Sequence, residues 1–175
     1  MIMTNFKEDL AKVKAFVFDI DGVLSLQTIG LNSFGIPNRT VNLRDGYAIQ
    51  LAVKKGYFVA IISGSNAKEY LKRLKLLGVR DIYLNSRSKV EHFRNFLTKH
   101  SLSESDVLFM GDDIPDYGVM KIAGIPVCPS DADSEIKQVA SYVSDKKGGE
   151  GCVRDVIEQV LRLHNNWMDT DAFSW

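Results

Sequence analysis

The chain has 175 residues, 45% hydrophobic and 25% charged, with Lys+Arg and Asp+Glu balanced at 22 each. That composition suits one globular domain with a substantial core and excludes a disordered chain. The charge balance leaves no basic excess for nucleic acid and no polybasic cluster for a membrane surface, and no apolar run approaches the ~20 residues of a membrane span.

The first ten residues mix Lys7, Glu8 and Asp9 with apolar side chains, so they lack the apolar centre of a signal peptide. Residues 13–19 read as a buried parallel strand, because aromatic and aliphatic residues run without interruption until Asp19, Asp21 and Gly22. Residues 23–44 hold Gly30, Gly35 and Pro37 among short apolar runs and predict a β-hairpin projecting from the sheet. Asp45-Gly46 then opens a helix over 47–55 that Gly56 stops. A second strand over 57–62 ends in Ser63-Gly64-Ser65-Asn66, and an amphipathic helix over 67–77 closes at Gly78. A short strand at 82–84 and a helix at 89–100 follow. The strand 107–110 runs into Gly111-Asp112-Asp113, and Pro115 suits the first turn of the next helix. A strand at 125–128, a helix near 133–139, a strand at 142–143 and a helix over 152–163 complete the domain.

This alternation of β and α predicts an α/β fold with a doubly wound parallel sheet over 1–163, followed by a tail over 164–175. The tail is polar but carries Trp167, Phe173 and Trp175, which reads either as a docking segment, on another subunit or elsewhere, or as a frayed end. Cys128 and Cys152 are isolated and without metal-ligand spacing, so they read as thiols of a reducing compartment and point to the cytoplasm.

Asp19 and Asp21 share one side of a strand end, since side chains alternate with period two. Two carboxylates that close are costly unless a cation lies between them or one keeps its proton. Further polar groups recur at later strand ends: Ser63, then Asp112, Asp113 and Asp116, with Lys89 opening a helix between them. In a doubly wound sheet those ends converge on one crevice. A set rich in hard oxygen donors and poor in nitrogen and sulfur suits Mg²⁺, and a phosphoryl group between that metal and Lys89 would have its charge matched.

Phe18-Asp19-Ile20-Asp21-Gly22-Val23, Ile61-Ile62-Ser63-Gly64, the lone Lys89, and Gly111-Asp112-Asp113 with Asp116 resemble, in order, the four motifs of the haloacid-dehalogenase-like phosphohydrolases. A response-regulator receiver would instead place its lysine last. The resemblance implies Asp19 as nucleophile, attacking phosphorus to form an aspartyl-phosphate. It implies Asp21 as the acid that protonates the leaving oxygen and then the base that activates water, with its backbone carbonyl also on Mg²⁺. Asp112 becomes the second carboxylate ligand, and Asp113 a ligand through water or a group behind the metal. Asp116 orients Lys89, Ser63 holds a phosphoryl oxygen, and Lys89 neutralises phosphate and nucleophile together.

The intervals after the first and second motifs leave no room for a cap domain. An uncapped site exposes the aspartyl-phosphate to water, which a macromolecular substrate or a neighbouring subunit acting as lid would remedy. Residues 42–47, residues 148–154 and Arg73 also resemble segments of the 3-deoxy-D-manno-octulosonate (KDO) 8-phosphate phosphatases, which are tetramers. That likeness implies a homotetramer acting on a small phosphorylated 2-keto sugar acid. Arg44 and Arg73 would pair with its carboxylate, and Asp45, Gly46 and Gly64 would lie beside it. Ser65, Gln50 and Ser25-Leu26-Gln27 depart from that family's pattern. A phosphatase for KDN or N-acylneuraminate 9-phosphate, or for another small sugar phosphate, is therefore the enzymatic alternative. An oligomerisation module of the kind appended to acylneuraminate cytidylyltransferases is the non-enzymatic one.

Overall fold

The computed structural model describes residues 6–174, so the expectations placed on residues 1–5 and on Trp175 lie outside it. In chain order the elements are α1 (Phe6–Leu10), β1 (Ala15–Phe18), α2 (Leu43–Lys54), β2 (Phe58–Ile62), α3 (Lys68–Leu76), β3 (Asp81–Tyr83) and α4 (Lys89–His100). They continue as β4 (Val107–Met110), α5 (Tyr117–Met120), β5 (Ile125–Cys128), α6 (Ser134–Val139), β6 (Tyr142–Val143) and α7 (Cys152–Leu163). The strands form one sheet in the order β3-β2-β1-β4-β5-β6, and every pairing is parallel. This is the doubly wound arrangement expected from the alternation of elements.

The period of two in β1 decides which helices cover which face. Phe16 and Phe18 join Val59, Ile61, Leu108 and Met110 on one face, packed against α2, α3 and α7. Ala15 and Val17 point the other way, with Ala60, Ile62 and Phe109, onto Phe93 and Phe96 of α4 and Val119 and Met120 of α5. All four residues of β1 are buried, as befits a central strand covered on both faces. β1 and β4 therefore end together, and the loops carrying Asp19 and Asp112 leave the sheet side by side.

Two local expectations change. Helix α2 begins at Leu43, because the Asn42 side chain accepts from the backbone N–H groups of Arg44 and Asp45 and caps it there. Asp45-Gly46 thus lies inside its first turn. The segment 23–44 forms no pair of named strands; it holds one antiparallel bridge, Leu31 to Pro37, and a turn in which Asn32 accepts from the N–H groups of Phe34 and Ile36. The predicted hairpin is a loop with a single rung.

The glycines at 148 and 149 are explained by contact. Gly149 N–H donates to the Val23 carbonyl at 2.8 Å. A Cβ at Gly148 would strike the carbonyl of Gly22, and one at Gly149 would strike the backbone of Ser25 and Leu26. The turn before α7 is packed, backbone on backbone, against the loop after β1. The tail docks on its own chain: the Tyr47 hydroxyl donates to the Ala172 carbonyl, Trp167 meets Tyr47 edge-on at 6.1 Å, and Lys55 pairs with Asp169 and Asp171.

Candidate active site

The strand ends of β1, β2 and β4 open into a cavity of about 310 Å³ whose lining includes Asp19, Asp21, Ser63, Lys89, Asp112 and Asp116. Lys89 is the first residue of α4, placed by the cap Ser88, whose side chain accepts from Glu91 N–H. Its ammonium donates to Asp19 Oδ2 at 2.7 Å and to Asp116 Oδ1 at 2.7 Å. Burial works against the Lys89 charge, but Asp19 and Asp116 outweigh it and hold the lysine pKa above its ordinary value. Asp116 takes the Asp112 N–H at 3.1 Å on its other oxygen, so both its oxygens are committed. Asp19 Oδ1 accepts from Ile20 N–H at 2.7 Å, which fixes its carboxylate plane.

Asp19, Asp112 and Asp116 are buried, and one oxygen from each lies within 4.8 Å of the others. Burial, reinforced by Asp116, raises the Asp19 pKa to about 6 against the pull of Lys89. Burial likewise raises Asp112 to about 8, with repulsion from Asp116, Asp19 and Asp113 adding to it. One ammonium does not balance this many carboxylates. Among the described residues the Asp112 carboxylate accepts one hydrogen bond, a long one from Gln27 Nε2 at 3.5 Å. A buried acid with a raised pKa, open oxygens and acidic neighbours is the environment a divalent cation relieves. The donors are all hard oxygens, which fits Mg²⁺. Gly22 leaves space for this group, since a Cβ there would fall on the Asp112 carboxylate, and its φ of +78° is one that glycine adopts freely.

Ser63 is buried at the end of β2, and its hydroxyl lies 2.9 Å from that of Ser65; Gly64 is exposed between them. Asp113 is exposed and caps the following turn by accepting from Ile114 N–H at 2.8 Å. Asp21 is half-buried at the cavity mouth and accepts two bonds from Arg39, Nε to Oδ1 at 2.7 Å and Nη2 to Oδ2 at 3.0 Å.

Four expected substrate contacts lie elsewhere in this chain. Arg44 lines a separate groove of about 960 Å³ together with Gly149, Arg154, Glu158 and Arg162. Asp45 is buried and caps α7, its Oδ1 accepting from Arg154 N–H at 2.7 Å. Burial lifts its pKa to about 6 against that bond and a second from Gly151. Gly46 makes room for the Arg73 guanidinium, 2.9 Å from where its Cβ would stand. The Arg73 Nε and Nη2 are buried without hydrogen-bond partners among the described residues. A carboxylate at the end of a strand is announced by its motif; an arginine's destination depends on loops and helix phase, which the motif does not carry. Arg39, Glu69 and Gln27 were not foreseen as members of the site. Arg39 lies in the irregular 23–44 segment, where neither spacing nor periodicity marks it.

A parallel sheet in the order 3-2-1-4-5-6 with paired aspartates, a hydroxyl, a lysine and a second acidic cluster at adjoining strand ends defines a haloacid-dehalogenase-like phosphohydrolase scaffold. The profile of the haloacid dehalogenase-like hydrolase family matches residues 76–157. The 3-deoxy-D-manno-octulosonate 8-phosphate phosphatase of Salmonella typhi is 32% identical over 160 residues, covering 91% of this chain and 85% of that protein. Its counterpart from Escherichia coli K12 is 34% identical over 149 residues, covering 85% and 79%. The crystal structure of the Moraxella catarrhalis phosphatase with magnesium ion, phosphate ion and KDO superposes with a TM-score of 0.88 at 30% identity, covering 96% of this chain and 95% of that one. The Yersinia pestis phosphatase also gives 0.88 at 30% identity, covering 92% and 87%. The chain belongs to the 3-deoxy-D-manno-octulosonate 8-phosphate phosphatase family of haloacid dehalogenase-like hydrolases.

Proposed function

We propose that this chain is a Mg²⁺-dependent phosphomonoesterase that hydrolyses KDO 8-phosphate through an aspartyl-phosphate. The observation that carries the reading is the Asp19–Lys89–Asp116 chain of hydrogen bonds beside the open carboxylate of Asp112. Asp19, the Asp21 backbone carbonyl and Asp112 would hold Mg²⁺, which supplies positive charge against the phosphoryl oxygens. Asp19 attacks phosphorus with Oδ2, the oxygen Lys89 holds, while the bond to the leaving oxygen breaks. Asp21 gives that oxygen a proton, then takes one from the water that attacks the aspartyl-phosphate and restores Asp19. Lys89 keeps the nucleophile ionised and fixed, and Asp116 fixes Lys89. The Ser63 hydroxyl donates to a phosphoryl oxygen.

The assembly proposed is a homotetramer in which a neighbouring subunit lids the uncapped cavity. Leu31, Phe34 and Ile36 on the loop after β1 favour this, being 64%, 84% and 46% exposed. Among the described residues no helix is long and apolar enough to cross a membrane. The two cysteines are buried free thiols, and a cytoplasmic location is proposed on that basis.

Phosphate release from a panel of sugar phosphates, with and without Mg²⁺, tests the reading. The expected result is the highest kcat/KM for KDO 8-phosphate, no turnover in EDTA, and loss of at least about a thousandfold in Asp19→Asn. Full activity in Asp19→Asn would overturn the mechanism, and a higher kcat/KM for a nonulosonate 9-phosphate would overturn the substrate.

A further inference from the structure

Asp21 is asked to do two precise things, yet its side chain is 42% exposed on a loop beyond the end of β1. Among the described residues, its carboxylate accepts hydrogen bonds from Arg39 alone. Arg39 is the reverse case: its side chain is only 5% exposed, and its remaining nitrogen, Nη1, pairs with Glu69 of α3. A planar fork that meets both oxygens of a carboxylate fixes its rotation as well as its position. We infer that Arg39, seated on Glu69, is the positioning residue that holds Asp21 for activation of water, an inference that rests on the phosphatase reading above.

The step it serves is the second half of the reaction. Water attacks the phosphorus of the aspartyl-phosphate and gives up a proton to an Asp21 oxygen. The bond from phosphorus to the Asp19 oxygen breaks, its electron pair returns to the Asp19 carboxylate, and inorganic phosphate leaves. Each Asp21 oxygen can keep a lone pair for that proton while it accepts one N–H of the fork. An untethered carboxylate half in solvent would sample several rotamers, and a general base acts only within hydrogen-bond reach of the proton it takes. Glu69 is fixed to a helix, so the clamp refers Asp21 to the body of the fold instead of to its own loop.

4-Nitrophenyl phosphate separates this role from a merely structural one. Its leaving group departs without needing a proton, so its kcat/KM reports attack by Asp19, whereas kcat also contains the water step. In Arg39→Met we expect kcat to fall at least about tenfold while kcat/KM stays within about threefold. A burst of one 4-nitrophenolate per chain should precede the slow phase. The fraction of chains trapped as aspartyl-phosphate, read by acid quench and mass spectrometry with either this substrate or KDO 8-phosphate, should rise. Arg39→Lys, which keeps the charge but not the fork, should recover only part of the loss, and Glu69→Gln should act in the same direction more weakly. The inference is overturned if kcat is unchanged, if kcat and kcat/KM fall together, or if the trapped fraction does not rise. Wild-type protein that releases no phosphate from either substrate in Mg²⁺ would overturn the phosphatase reading itself, whatever the variants do.

Discussion

Without metal, the acidic cavity should make the protein less stable as pH rises from 5 to 8, and Mg²⁺ should remove most of that slope. Asp112 has its pKa raised by burial and by Asp116, Asp19 and Asp113 to about 8; an unfolded aspartate titrates near 4. A carboxyl raised in the folded state contributes stability that is complete below the unfolded value and lost as pH climbs to the folded one. Across pH 5–8 the folded chain keeps this proton and the unfolded chain does not, at about 1.4 kcal/mol per pH unit. The ceiling for Asp112 is therefore about 4 kcal/mol. Asp19, raised to about 6, adds to the first unit of that window, but the two acids repel each other and their contributions overlap. For a chain of this size each kcal/mol moves Tm by about 2–4 °C, so a fall of roughly 8–16 °C is the upper bound. Asp45, also raised to about 6 by burial but not part of the acidic cavity, should leave a residual slope between pH 5 and 6 when Mg²⁺ is present. Thermal unfolding at four pH values, in EDTA and in Mg²⁺, measures this directly, and Asp112→Asn in EDTA should flatten the curve. A metal-free Tm that is level or rising between pH 6 and 8, with Asp112→Asn tracking the parent, would refute the reasoning.

Gly22→Ala places a methyl group on the Asp112 carboxylate at a φ of +78°; it should cost about 1–2 kcal/mol in stability from the backbone alone. Because the displaced group is a proposed ligand, the Mg²⁺ concentration for half-maximal activity should also rise at least about tenfold, as read from a metal titration. Trp167 lies edge-on to Tyr47 and under the guanidinium groups of Arg154 at 5.1 Å and Arg162 at 5.7 Å. Trp167→Ala should lower unfolding stability by about 2 kcal/mol in urea, less than for a fully buried aromatic, whereas a change under about 0.5 kcal/mol would mean that the tail does not stay docked.

The elements whose limits were legible are those marked on both sides. Helix 89–100 has Ser88 as cap and Ser101 in the left-handed conformation at its end, and helix 152–163 follows Gly151. Strands 107–110, 125–128 and 142–143 are bounded by turn residues and were read at their observed limits. The start of α2 is not legible in the sequence, where Asp45-Gly46 looks like a turn, because the helix is set by the Asn42 side chain folding back onto the N–H groups of Arg44 and Asp45. The convergence of Asp19, Ser63 and Asp112 was legible because each lies just past the end of a buried strand and parallel strands end together, while Lys89 is brought to them by the start of α4. Arg39 was not, because its position follows from the path of an irregular loop and from a partner on α3 that no local pattern connects to it. Arg44 and Arg73 are the opposite case: their side chains suit a carboxylate, but in this chain helix phase turns one into a groove beside α7 and sets the other against Gly46.

The contact of Gly148 and Gly149 with the loop after β1 also sets an order of events in folding. It joins residues 22–26 to Gly148 and Gly149, and contacts of large sequence separation form late because their loop entropy must be lost first. During synthesis, the segment that bears Asp21 and Gly22 waits for its backbone partner until Gly148 and Gly149 have been made. The sheet can assemble from β1, β2 and β4 well before then, while the catalytic mouth is among the last parts to close.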